Sequence, residues 1–173
     1  GSASVVLEIT ENGRTFKLGF TGDLGRKDLP ILRDPEFMGD VDYLITESTY
    51  GGLNHEPASK IEQGLLDTVI EALSTNGKII VPAFSVGRTQ EIVYEISKMR
   101  AAGKLPEFPV YVDSPLSVNA TEIFKLHPEC FDEETFKLLA MGVHVFGSDS
   151  VEYIRKVEDS KKLNSVKGTA MII

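Results

Sequence analysis

At 173 residues the chain is long enough for one domain with its own core, or for one and a fraction. A hydrophobic content of 42% with 25% charged residues is that of an ordinary globular protein; no apolar run is long enough to span a bilayer, and no stretch has the order of a signal peptide. A net charge of −8 excludes a protein that coats nucleic acid by phosphate neutralisation alone, although bound divalent cations can reverse the field locally. The single cysteine, Cys130, excludes an internal disulfide, favours a reducing, cytoplasmic setting, and reads as a half-buried thiol.

Residues 4–10 read as a strand, Asn12-Gly13 as a two-residue hairpin turn, and 14–20 as the return strand, whose alternating Phe16, Leu18 and Phe20 predict one buried face. Residues 24–40, with two prolines and two glycines among charges, form a long irregular connection. Tyr43-Leu44-Ile45 is a short strand. From Pro57 the period turns helical, with Ile61, Leu65, Leu66, Val69, Ile70 and Leu73 on one face and Asn76-Gly77 at the end. A strand over 78–83 and a helix over 85–102 follow, then a strand at 110–112. Ser114 as N-cap and Pro115 at the first helical position open another helix, and Asp132 caps a shorter one. Residues 143–146 read as a strand containing a structural His144, 150–161 as a helix and 169–173 as a strand. The alternation after residue 42 predicts a parallel sheet covered by helices, an α/β fold, with the opening hairpin in a different sheet.

In such a sheet the reactive loops lie beyond the strand C-termini. Three acids stand there: Asp23, Glu47 and Asp113. Gly22 lets the backbone at Asp23 approach a ligand closely, whereas the helix beside Asp113 suggests turn or cap duty. His127, before Pro128, reads as helix-end punctuation. No two of His55, His127 and His144 have metal-ligand spacing.

Four segments carry a resemblance. Thr21-Gly22-Asp23 resembles the metallo-β-lactamase segment in which a strand-end Asp bridges two zinc ions. Glu47-Ser48-Thr49-Tyr50-Gly51 resembles the acidic motif of the β-CASP branch. Residues Val81-Pro82-Ala83-Phe84-Ser85-Val86-Gly87-Arg88-Thr89-Gln90-Glu91, and then Asp113-Ser114-Pro115-Leu116, are similar to that branch's later strand-to-helix junctions. The matches run in family order along nearly the whole chain, which is thereby identified with the β-CASP RNA nucleases.

The resemblance implies part of a metallo-β-lactamase αββα fold over 1–48, its late strands, followed by most of a β-CASP parallel-sheet domain over 49–173, cut short at its end. It implies zinc-dependent phosphodiester hydrolysis of RNA by the parent protein. Asp23 would be a metal ligand. Glu47 would be catalytic, acting through a histidine outside this chain. Ser85, Arg88, Tyr50 and His55 would bind substrate. The family's His-x-His-x-Asp-His cluster is absent here, so zinc binding by the chain alone is expected to be weak or nil. Gly1-Ser2-Ala3 reads equally as the tail of a family motif or as a cloning scar. Tyr50, Phe84 and Tyr111 are each able to stack on a base, with core packing the expectation for Phe84 and Tyr111. RNA is the expected partner, with a homodimer or a paralogue beside it. Three rivals stay open: a DNA-directed or small-molecule metallo-hydrolase, a non-catalytic paralogue, and an unrelated phosphohydrolase with Asp113 as nucleophile.

Overall fold

Asn12 and Gly13 take φ values of 50° and 77°, the two left-handed residues that a tight hairpin turn needs. In the computed structural model, which describes residues 3–54, 57, 59–147 and 150–173, this turn joins β1 (Val5–Glu11) to β2 (Arg14–Phe20). The antiparallel register runs from Val5 opposite Phe20 to Glu11 opposite Arg14. β3 (Tyr43–Ile45) lies parallel to β2, with Leu18 opposite Tyr43 and Phe20 opposite Ile45. The Phe16 and Tyr43 rings meet edge to face, 5.6 Å between centroids. The chain divides into two compact units, one of Gly1–Leu29 with Asp34–Glu56 and one of Pro30–Arg33 with Pro57–Ile173. The three-stranded sheet belongs to the first.

The single buried face expected of the hairpin is not there. Phe16 and Leu18 are half-buried, and Phe20, Val5, Val6 and Leu7 are exposed. The best-covered point lies on the opposite side of β2. At Gly19 an added Cβ would come within 2.8 Å of Met38 Sδ and 3.1 Å of Val41 Cγ1. Only glycine leaves room for that packing.

The second unit is a four-stranded parallel sheet in the order β4-β7-β5-β6, built from β4 (Lys78–Ile80), β5 (Val110–Val112), β6 (Val151–Tyr153) and β7 (Ala170–Ile172). Cross-strand partners share a face, so Ile79, Met171, Val110 and Val151 form one apolar row. That row packs with Val69 and Ala72 of α1 (Ser59–Thr75) and Val93, Ile96 and Met99 of α2 (Arg88–Ala101). The first helix ends where expected: Asn76 takes φ 54° and Gly77 N–H returns to Ala72 O at 2.8 Å. Helices α3 (Pro115–Leu126) and α4 (Glu133–Ala140) are capped by Ser114 and Asp132, whose side chains accept from Ser117 N–H and Thr135 N–H. α5 (Val157–Leu163) precedes β7.

A second cluster gathers Ile31, Tyr94, Phe131, Val145 and Phe146. Its inclusion of Ile31 gives the long connection a structural task. Leu32 bridges Phe131, Asp132 N–H donates to Ile31 O at 2.9 Å, and Arg33 N–H donates to Cys130 O at 3.0 Å. Ile31 holds a φ of 79°, costly for a β-branched residue, and is fully buried. Burial of its side chain offsets that strain.

Four further expectations about the elements are corrected. Residues 143–146 are not a strand; Val145 and Phe146 pass through a turn into the second cluster, and His144 is exposed. Residues 150–161 are not one helix but β6, a break at Ile154–Lys156, and α5. β4 stops at Ile80, two residues before Pro82, which has no N–H for the ladder. Cys130 is exposed rather than half-buried. Among the described residues no helix is long and apolar enough to cross a membrane.

Candidate functional site

In the first unit the two site acids follow neighbouring parallel strands. The pairing of β2 with β3 continues one step past the strands, Thr21 N–H donating to Ile45 O at 3.1 Å. The buried Thr21 hydroxyl donates to Gly22 O at 2.8 Å and lies 3.4 Å from the Thr46 hydroxyl. Gly22 then turns the chain with a φ of 60°. Asp23 and Glu47 are thus carried just beyond two adjacent strand ends, both exposed to solvent. No cation pairs with Asp23 among the described residues. Glu47 Oε2 accepts from Thr49 N–H at 2.8 Å. That backbone bond, with help from the Thr49 side chain, holds the Glu47 carboxyl below the usual range and opposes what little desolvation it feels. The turn after it is tight: Gly51 N–H donates to Ser48 O at 3.0 Å, and a side chain at Gly51 would collide with that of Ser48. Tyr50 is exposed at the turn. His55, assigned to substrate binding, lies outside the described residues.

In the second unit Ser85 and Arg88 sit beyond the C-terminal end of β4. The helix expected from Ser85 starts at Arg88 instead, because Ser85 to Gly87 form a turn and Gly87 takes φ 89° as the residue before the helix. Ser85 is therefore no N-cap; its hydroxyl lies 3.3 Å from that of Ser114. Arg88 pairs with Glu91 at 2.7 Å and stays 57% exposed, so its charge is partly answered within its own helix. Asp113 accepts from the Ser160 hydroxyl at 2.8 Å, while Ser114 does the capping. Phe84, expected in the core, is 86% exposed; Tyr111 is half-buried on β5.

Gln90, which the sequence reading named only as part of a motif, organises this loop. It is fully buried, and its carboxamide accepts from Gly87 N–H at 2.7 Å. It donates to Ser85 O at 3.1 Å and Thr121 Oγ1 at 3.0 Å, with Ser117 O at 3.4 Å. A glutamine on the inward face of a helix, three residues after a glycine, is the signal that would have found it.

Stable zinc sites take three or four ligands. Among the described residues no group of three His, Cys, Asp or Glu side chains is arranged to hold a metal. Asp23 is one carboxylate, and the described residues by themselves do not fit a zinc centre.

These features define an α/β protein with acids beyond two paired parallel strands of a mixed sheet and a braced loop at the edge of a second, all-parallel sheet. The Beta-Casp domain model matches residues 89–173. Ribonuclease TTHA0252 of Thermus thermophilus is 32% identical over 173 residues, which cover 100% of this chain and 39% of that protein. The RNase J-like protein of Methanocaldococcus jannaschii is 33% identical over 95% of this chain and 37% of its own length. Endoribonuclease YSH1 of Gibberella zeae is 26% identical over 99% of this chain and 22% of its own length. Residues 89–173 thus carry the β-CASP domain, the whole chain is similar to these ribonuclease-named proteins, and it spans about two fifths or less of their length.

Proposed function

We propose that the protein containing this chain is a hydrolase that cleaves RNA phosphodiester bonds, an RNA-processing or decay nuclease working in the cytoplasm. The observation that carries the reading is the pair of acids, Asp23 and Glu47, exposed beyond adjacent parallel strand ends. The relatives named as ribonucleases support RNA as the substrate. Zinc is part of the reading for the whole protein: Asp23 would contribute one ligand to a set completed by residues outside this chain, and the ion would supply charge neutralisation at phosphate. Glu47, already ionised easily, would orient a neighbouring proton-carrying group by accepting its hydrogen bond. Ser85, Arg88, Tyr50 and His55 would hold the strand, Arg88 by giving up Glu91 for a phosphate. Assembly as a homodimer or with a paralogue belongs to the same proposal. The residues 1–48 would be the late strands of the metallo-β-lactamase domain, and 49–173 the β-CASP domain.

The test is cleavage of a short single-stranded RNA by the full-length protein and its Asp23→Asn variant, with metal content measured on both. The reading expects RNA cut by the parent, a rate loss of at least about 100-fold in the variant, and lowered zinc. A parent that leaves RNA intact, or a variant with unchanged rate and zinc, overturns it.

A further inference from the structure

Phe84 is 86% exposed and Val86 57%, in a segment that begins directly after β4. Single exposed apolar residues are ordinary on protein surfaces, and Phe37 is as exposed as Phe84. The difference is in the backbone beneath. Phe37 stands in the irregular connection, with no secondary structure around it. The backbone of Phe84 is fixed from several sides. Val81 N–H donates to Ile172 O at 2.9 Å, continuing the sheet. The buried Thr89 hydroxyl donates to Phe84 O itself at 2.9 Å. Gln90 then takes hold of Ser85 O and Gly87 N–H. Two buried polar side chains thus secure a loop whose aromatic ring meets water. A ring carried on backbone fixed in advance leaves less conformational freedom to be lost when something settles on it.

We infer that Phe84 is a nucleobase-stacking platform at the C-terminal edge of the four-stranded sheet, taking one base of a single-stranded RNA on its face. This rests on the RNA-directed reading above and names a contact within it. Charge favours stacking over phosphate neutralisation here. The chain carries −8, and Arg88, the cation nearest in sequence, is already paired with Glu91. Stacking needs a flat π-face rather than a positive field, and every base offers one, so the contact is tolerant of sequence.

The experiment measures binding of a labelled short oligoadenylate, and of the same backbone without bases, to the full-length protein in the presence of EDTA, which stops metal-dependent cleavage. The variants are Phe84→Ala, Phe84→Leu and Phe84→Tyr. Loss of the ring should weaken oligoadenylate binding on the order of tenfold in the Ala and Leu variants, with Tyr close to wild type. Binding of the abasic backbone should not change in any of them. If Phe84→Ala unfolds, the Leu and Tyr pair carries the comparison, because leucine keeps apolar bulk without a flat face. Equal oligoadenylate affinity in wild type and Leu variant overturns the inference and leaves the ring to a protein contact. The two readings fail differently: RNA cleaved normally with Phe84 silent sinks only the platform, whereas a wild-type protein that neither binds nor cleaves RNA sinks the nuclease.

Discussion

Val110 and Val112 in the four-stranded sheet are completely buried, while Tyr43, Leu44 and Ile45 in the three-stranded sheet are each more than half exposed. Both segments are short apolar strands, and what separates them is cover. Two helices close over the row of Ile79, Met171, Val110 and Val151; β1 and β3 have no buried residue. The second unit therefore draws its stability from hydrocarbon burial. The first depends on its hairpin turn, its ladder and the local packing at Gly19. The site acids are carried by the unit with the thinner support, and the braced loop by the unit with the core.

The largest expected effect comes from removing the core's borrowed residue. Ile31→Ala should cost about 3 kcal/mol in urea unfolding of the second unit, less whatever backbone strain at φ 79° is relieved. Hydrogen exchange should quicken in β5 and α2 and stay unchanged in the β1–β2 ladder. Equal quickening in both would show that the two units do not draw on separate sources of stability.

A smaller and pH-dependent effect should follow at Lys98. Its ammonium lies 3.1 Å from Glu95, 3.4 Å from Glu62 and 3.8 Å from Glu134, joining three helices. Burial pushes the Glu95 carboxyl up in spite of Lys98, whereas hydrogen bonding from Lys104, aided by Lys98, holds Glu62 down. A raised carboxyl favours the protonated form in the folded state. Glu95 thus adds stability at acid pH and loses it as pH rises through its folded value. Glu62 does the reverse, losing its contribution as pH falls. Lys98→Met should cost about 2 kcal/mol near neutral pH and less at acid pH, where Glu95 is neutral. A cost independent of pH in melting experiments would remove Glu95 as the cause.

The smallest effect sharpens the loop's role. Glu91→Gln breaks an exposed pair and should change stability by no more than about 0.5 kcal/mol. It should also tighten RNA binding modestly if Arg88 is thereby freed for phosphate. Unchanged or weaker binding in a fluorescence titration would detach Arg88 from the substrate.

The elements legible from sequence were those with local chemistry of their own: the Asn12-Gly13 turn, the Ser114-Pro115 start, the Asp132 cap and the Asn76-Gly77 stop. Misread segments had an apolar pattern and no punctuation. Val143 to Phe146 is as apolar as a strand, yet Val143, Val145 and Phe146 join a cluster with the helices while His144 stays exposed, a tertiary choice that periodicity cannot distinguish. Val151-Glu152-Tyr153 reads as continuous with the helix that follows because the break at Ile154 to Lys156 contains neither Gly nor Pro. The burial of Ile31 is not legible locally because its partners, Tyr94, Phe131, Val145 and Phe146, all lie far along the chain. The strand-end positions of Asp23 and Glu47 were legible, since a strand and the residues after it are local. The placing of Phe84 in solvent was not: it depends on hydrogen bonds from Thr89 and Gln90 that turn the loop outward.

β2 and β3 are adjacent, and the proposed function has Asp23 and Glu47, which follow them, serve one site together. A double-mutant cycle on RNA cleavage by the full-length protein, using Asp23→Asn, Glu47→Gln and both, tests this most directly. Acting as a unit, the double variant should be no slower than the worse single one. Losses that multiply, or a wild-type rate in either single variant, would contradict it.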